Sequence, residues 1–408
     1  MRALRFILPL LGLLAPALAA PTAGVGGVVA TGHRRDLFHD LLGKTDAAVS
    51  AKLDTAWRQL FYGNNDSQRV YYPVGEAMAY IADIGSGDVR SEGMSYGMMI
   101  AVQLDHREEF DRLWRWADKY MRHHEGPRRG YFAWQCRFDG RQLDPGSASD
   151  GEEWFAMALF FAAHRWGNGG GIFNYEAEAQ ALLREMLHKP AVGGVTSIFH
   201  RGEKQVVFAP TPPGDTFTDP SYHLPAFYEL WARWATDPAD SRFWTEAART
   251  SRGFFKKTAH PLTGLMPDYA YFDGRPHRAF SEDKGDFRFD AWRTPANVAL
   301  DYAWWRADPW AVAQSNRVLR FLQSQALGSA NQFTLEGKPL STDASIGLIA
   351  MAAVAGQAAE PDLARPFVQH LWDAPVPAGK WRYYDGLLYL LGLLQTGGRF
   401  QIYPPPAK

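Results

Sequence analysis

GEEWFAMALFFAAHRW (151–166) carries apolar residues at intervals of three and four, the period of an α-helix with one face turned to a core. The same spacing recurs about a dozen times. It is found at 48–62 (AVSAKLDTAWRQLFY), 106–124 (HREEFDRLWRWADKYMRHH) and 174–187 (NYEAEAQALLREML), and again at 222–235, 240–257, 289–306, 309–326, 343–356, 362–373 and 383–395. Asp150, Asp240, Asp308 and Thr342 stand where N-caps are expected, and Pro309 suits a first helical position. Gly- and Pro-rich stretches such as 125–130 and 209–215 separate the helices. Strand signals are short. SIFH (197–200) and QVVFA (205–209) are expected to pair as a small hairpin. No repeat of fixed period occurs, which argues against a solenoid. About twelve helices in consecutive pairs predict an all-α fold, a closed ring of helical hairpins whose loops carry the functional site.

The 408 residues include 43 Lys plus Arg and 44 Asp plus Glu, a net charge of −1. No basic excess exists to hold a phosphate backbone, so nucleic acid is not an expected partner. Aromatic residues make up 14% of the chain, with 15 Trp. Flat rings with a polar edge suit sugar faces as well as cores. Arg2 and Arg5, the apolar run Phe6–Leu14 and the small residues Ala17 and Ala19 read as a signal peptide over 1–19. Residues 20–35 read as a flexible leader, and 36–408 as a single domain. Export to the periplasm or the outside follows, with no membrane association after cleavage. Cys136 is the sole cysteine, so no intrachain disulfide forms, and its aromatic surroundings suggest a buried thiol.

Three segments carry candidate chemistry. In SEGMSYGMM (91–99), Glu92 sits on apolar ground that raises a carboxyl pKa toward that of a general acid; an acidic residue favouring a helix dipole is the plainer account. In SASDGEEW (147–154), Asp150 is either a site carboxylate or the cap of the following helix. In SEDKGDFRFDAWRTPANVALD (281–301), Asp286, Asp290, Arg293, Asn297 and Asp301 recur every three or four residues among aromatics. That pattern suits a cavity lining or a salt-bridged surface helix. The histidines show no metal-ligand spacing, even in HHEGPRRG (123–130), and no P-loop or G-x-S-x-G occurs. Neither metal nor cofactor is expected. Carboxylates in an aromatic groove without cofactor motifs point to glycoside hydrolysis.

At these residues the chain resembles glycoside hydrolase family 8. SEGMSYGMM (91–99), DGEEWFAMAL (150–159), DPSYHLPAFYELW (219–231), FRFDAWRTPANVALDYAWW (287–305) and YYDGLLYLLGLL (383–394) look like family blocks in family order. The likeness is strongest to the xylan-active branch, above all the reducing-end xylose-releasing exo-oligoxylanases. It implies an (α/α)6 barrel and an inverting hydrolase of β-1,4-xylosidic bonds; a monomer is the expected state. The resemblance implies Glu92 as general acid and Asp290 as general base. Asp150 would contact the distorted sugar, Tyr222 would hold the attacking water, and Arg293 would orient Asp290. Trp134, Trp154 and Trp292 are candidate sugar platforms. In the exo-acting enzymes a late loop closes the aglycone side with a histidine, whereas 331–347 (NQFTLEGKPLSTDASIG) has none. An endo-xylanase or endo-β-1,4-glucanase therefore stands as an alternative. A polysaccharide lyase and a non-catalytic polysaccharide-binding protein are the readings from other classes.

Overall fold

The computed structural model describes residues 26–279, 281–325 and 328–406. The expected signal peptide lies outside the described residues, as do residues 20–25 of the expected leader. The rest of that leader includes one helical turn, α1 (Val28–Thr31), followed by α2 (Leu37–Leu42) beyond residue 35. The remaining helices are α3 (Asp46–Tyr62), α4 (Ser91–Leu104), α5 (Arg107–Trp116), α6 (Ser149–Trp166), α7 (Tyr175–His188), α8 (Pro225–Trp234), α9 (Pro238–Thr258), α10 (Thr294–Trp305), α11 (Trp310–Ser324), α12 (Ile346–Ala355), α13 (Pro361–Asp373) and α14 (Arg382–Thr396). A π-helical turn at Ala117–Met121 extends α5.

From α3 onward the chain alternates between an outer and an inner ring. Helices α4, α6, α8, α10, α12 and α14 form the inner ring, in which α10 packs on α8 and α12, and α14 packs on α12 and α4, closing the circle. Helices α3, α5, α7, α9, α11 and α13 back them from outside. This is an (α/α)6 barrel. Composition explains the division. IGLIAMAAVA of α12 is apolar on every face and is covered all round, as an inner helix must be. PADSRFWTEAARTSRGFFKKT of α9 is apolar on one stripe, where Trp244, Ala247, Ala248, Ser251 and Phe255 turn inward and charged residues face solvent.

Several helix starts differ from the expected ones for local reasons. Asp237, not Asp240, caps α9 by accepting the Ala239 N–H at 2.7 Å. Ser345, not Thr342, caps α12 through the Leu348 N–H. Asp150 caps nothing; it lies in the first turn of α6. Among the described residues, seven short strands complete the fold. Antiparallel β1 (Tyr71–Val74) and β2 (Met78–Ile81) form a hairpin that the sequence reading omits. Strands β3 (Val89–Arg90), β4 (Gln135–Cys136) and β5 (Gln142–Asp144) form a small sheet beside the barrel mouth. The expected hairpin is present as β6 (Phe199–His200) and β7 (Gln205–Val206). Cys136 is buried and unpaired, and burial pushes its thiol up to about 12.

Candidate active site

The N-terminal ends of the inner helices meet at one mouth of the barrel. Glu92 stands in the first turn of α4 and Asp150 in the first turn of α6. Ser221 and Tyr222 lie in a 3-10 turn before α8. Asp290–Arg293 form another before α10, and Tyr383 opens α14. Two glycines permit this approach. A Cβ at Gly93 would stand 2.4 Å from the Tyr383 ring, and one at Gly151 would stand 2.6 Å from Ser91 Oγ. Neither contact is tolerable, so the meeting of α4 with α14 and of α4 with α6 depends on the missing side chains. The cleft at this mouth has a volume of about 600 Å³ and is lined by Glu92, Asp150, Tyr222, Asp290 and Trp134, with Arg90, Arg128, Tyr269 and Lys284.

Arg293 binds these residues into one network. Its Nη1 donates to Glu92 Oε2 and Asp150 Oδ2, both at 2.9 Å, and to Tyr96 Oη at 2.6 Å. Its Nη2 donates to Ser221 Oγ at 2.8 Å and to Asp290 Oδ1 at 3.3 Å. The guanidinium also lies 5.6 Å from the Tyr222 ring. Because one guanidinium reaches both Glu92 and Asp290, their facing oxygens lie within the upper limit of the ~6.5–9.5 Å that admits a water beside a sugar. Arg293 does reach Asp290, as expected, but it is shared, and its shorter ion pairs go to Glu92 and Asp150.

Burial dominates the electrostatics. It pushes the Glu92 carboxyl up to about 7; the Arg293 charge opposes this, and Asp150 and Asp290 reinforce it. Burial also raises Asp150 and exceeds the opposing pull of Arg293. Tyr383 Oη donates to Glu92 Oε1 at 3.1 Å. Glu92 therefore holds a proton near neutrality while lying at the cleft wall, a combination suited to proton donation. Arg293→Met should leave these buried carboxylates without their shared cation. The expected destabilisation is about 3–5 kcal/mol at pH 8. It should shrink as pH falls through about 7, where Glu92 takes up a proton. Denaturant unfolding at pH 8 and at pH 5 measures this, and equal deficits would contradict the network.

The structure brings together Glu92, Asp150, Tyr222, Asp290, Arg293 and Trp134. The Trp134 ring lies at the cleft wall, 5.7 Å from the Arg90 guanidinium. Trp154 and Trp292 do not fit the platform expectation. Trp154 is buried edge-on against Tyr96 and Phe227. Trp292 is buried against Phe289 and Tyr384, and its indole N–H donates to the Asn331 carbonyl at 2.8 Å. Both rings spend their faces on packing. The expected polar stripe 286–301 also divides. Asp301 forms a two-pronged pair with Arg252 at 2.7 and 2.8 Å, Asp286 pairs with Arg278, and Asn297 donates to the Ser221 carbonyl. The stripe breaks because residues 290–293 form a 3-10 turn that changes the phase before α10 begins.

Sequence reasoning missed Arg90, Arg128, Tyr269, Lys284 and Ser221, which come from a two-residue strand, short 3-10 turns and loops, all too short to show a period. Of these, Lys284 stands within the quoted SEDKGD segment. Among the described residues no cluster of His, Cys, Asp or Glu is arranged to hold a metal ion.

Comparison with known proteins agrees with this geometry. The family model "Glycosyl hydrolases family 8" matches residues 81–398. The reducing-end xylose-releasing exo-oligoxylanase Rex8A of Paenibacillus barcinonensis is 45% identical over 92% of this chain and 98% of its own. A reducing end xylose-releasing exo-oligoxylanase of Halalkalibacterium halodurans is 40% identical, over 94% of this chain and 97% of its own. A crystal structure of a catalytic-mutant xylanase from Teredinibacter turnerae in complex with xylohexaose superposes with a TM-score of 0.90. It is 45% identical and covers 93% of this chain and 100% of that one.

Proposed function

The chain belongs to family 8 of the glycosyl hydrolases and is a glycoside hydrolase; on that premise we propose that it hydrolyses β-1,4-xylosidic bonds of xylo-oligosaccharides with inversion, releasing xylose from the reducing end. The observation that carries the chemistry is the pair Glu92 and Asp290, one protonated near neutrality and both reached by one guanidinium. Glu92 donates its proton to the leaving glycosidic oxygen. Asp290 takes a proton from the water that attacks the anomeric carbon from the opposite face. Tyr222 lies beside Arg293 at the cleft wall, where it holds that water. Asp150, fixed by Arg293, faces the sugar at the cleavage point. Trp134 offers a ring face for stacking. The relatives named above, which act on xylo-oligosaccharides by name or bind one, support the substrate class.

A second reading, internal cleavage of xylan, is favoured by one observation. The loop 331–347 contains no histidine; its Phe333 pairs through the backbone with Phe287, just ahead of the base. The histidines at 223 and 277 do not replace it. His223 is buried between Thr218 and Ser251, where burial draws its pKa down to about 3, and His277 stacks on Phe217.

Time courses on xylotriose, borohydride-reduced xylotriose, xylohexaose and cellotriose test both readings. Reducing-end release predicts xylose and xylobiose from xylotriose and no cleavage of the reduced sugar. Equal cleavage of the reduced sugar, with xylohexaose cut internally, would establish the second reading. Cleavage of cellotriose alone would overturn both. Export of the protein, through residues 1–19, belongs to the same proposal; recovery of the enzyme outside the cytoplasm with its chain starting after Ala19 tests it.

A further inference from the structure

Beside Asp290 the cleft holds a second group of charges that the reaction described above does not use. Lys284 lines the cleft. Its Nζ lies 3.0 Å from Asp268 Oδ2 and 3.5 Å from Asp290 Oδ2. Asp268 is fully buried, and its Oδ1 accepts the backbone N–H of Ala291 at 3.0 Å. Asp268 therefore grips the main chain of the turn that carries Asp290, while Lys284 bridges the two carboxylates. Asp219, also fully buried, accepts the Ser221 N–H at 2.7 Å through Oδ1, and its Oδ2 makes no hydrogen bond. Lys284 thus pairs with two carboxylates on the Oδ2 side of Asp290, with Asp219 near enough to act on its charge, while Arg293 holds Oδ1 of Asp290 together with Glu92 and Asp150.

The lysine is held in place by its own backbone. Its N–H donates to the Ser281 carbonyl, and its carbonyl accepts the Tyr269 N–H at 2.8 Å. The ammonium lies 5.0 Å from the Tyr269 ring. The neighbouring charges of this segment are paired elsewhere: Arg278 with Asp286 at 2.8 Å, and Arg288 with Asp283 at 3.6 Å. Lys284 is thus the cation that answers Asp268 and the far oxygen of Asp290.

We propose that Lys284 is a positioning residue for the general base, fixing Asp290 Oδ2 and supplying the positive charge that Asp290 shares with Asp268. The proposal rests on the reading of Asp290 as base. Electrostatics support it. Burial raises Asp268 to about 7 and Asp219 well above its ordinary value, and the Asp290 charge adds to both. Burial works against the Lys284 charge, but Asp290 and Asp268 outweigh it and hold the ammonium protonated. Without that ammonium the same carboxylates repel one another, and the cluster takes up a proton at higher pH. A proton on Asp290 leaves it unable to accept one from water.

Initial rates on xylohexaose across pH 4–9 test this in Lys284→Met, Lys284→Arg and Asp268→Asn. In Lys284→Met the acid limb of kcat/KM should rise by about one pH unit or more, since an opposite charge at this range shifts a carboxylate by about 1–3 units. The loss is then roughly tenfold or greater below the limb and closes toward pH 8. Lys284→Arg should leave the limb in place. Asp268→Asn should lower it, because the ammonium is then left to Asp290 alone. A limb in Lys284→Met that coincides with the parent enzyme's, at full or uniformly reduced rate, overturns the proposal. If the Met variant does not fold, an unmoved limb in Asp268→Asn overturns it. Asp290→Asn on the same substrate separates the two ideas. Retained turnover there means the base is misassigned; lost turnover with an unmoved limb in the Lys284 variant refutes only the role of the lysine.

Discussion

Glu92→Gln is expected to lower kcat on xylo-oligosaccharides by about two to four orders of magnitude, the usual contribution of a placed general acid. Glutamine keeps the shape of the side chain and a partner for Tyr383 and Arg293, but has no proton to give. The loss should depend on the leaving group. Fluoride departs without protonation, so a β-xylobiosyl fluoride should be hydrolysed by the variant within about tenfold of the parent rate, by the same argument. A comparable loss on both substrates would show that Glu92 does something other than donate a proton. The parent enzyme should lose activity as pH rises through about 7, where Glu92 gives up its proton.

The same substitution carries a stability prediction of opposite sign. The Glu92 carboxyl is raised in the folded protein from an ordinary value of 4.5 to about 7, chiefly by burial. A carboxyl raised on folding destabilises the native state wherever the unfolded chain is ionised. That cost is absent below pH 4.5, grows across the interval and is complete above about 7. Glu92→Gln removes it, so the variant should be the more stable protein at pH 8 and close to the parent at pH 4. Arg293 is not stranded by the change, since Asp150, Asp290 and Ser221 remain. Thermal unfolding of both proteins at the two pH values measures this; a variant less stable at pH 8 would mean that the Arg293 pair outweighs the burial of Glu92.

Much of this fold is legible in the sequence because helices announce themselves by period. The stretches 48–62, 174–187 and 362–373 each lie within a residue or two of α3, α7 and α13. The β1–β2 hairpin escapes notice because Pro73 and the turn after Val74 interrupt a two-residue alternation only four residues long on each side. Within the site, Glu92, Asp150 and Asp290 are visible as acids in distinctive local company. What sequence does not display is which partner wins. Arg293 lies three residues from Asp290, yet it makes shorter bonds to Asp150 and Glu92, 143 and 201 residues away. Trp154 and Trp292 are as aromatic as Trp134, and only the barrel decides which ring faces the cleft. Asp219, Asp268 and Lys284 come from three separate loops, so no spacing rule could join them.

Asp290→Asn should be as damaging as the loss of the acid, but with a different signature. Asparagine preserves the contact to Arg293 and cannot take a proton from water. The expected loss in kcat is again about two to four orders of magnitude. Here it should be as large on β-xylobiosyl fluoride as on xylotriose, because the attack of water needs the base whatever the leaving group is. The contrast between the two variants on two substrates assigns the roles without reference to either residue's surroundings. The electrostatic consequence is distinct as well. The Asp290 charge contributes to raising Glu92, Asp150, Asp219 and Asp268. Its removal should let all four ionise at lower pH, relieving part of their burden on the folded state. Asp290→Asn is therefore expected to unfold at a higher temperature than the parent at pH 7 to 8, with the gain fading as pH falls below the range in which these carboxyls ionise. A base placed among so many acids costs stability where it is needed for turnover. A variant inactive on both substrates but unchanged in stability would keep Asp290 as the base and refute the claim that these carboxylates share one field.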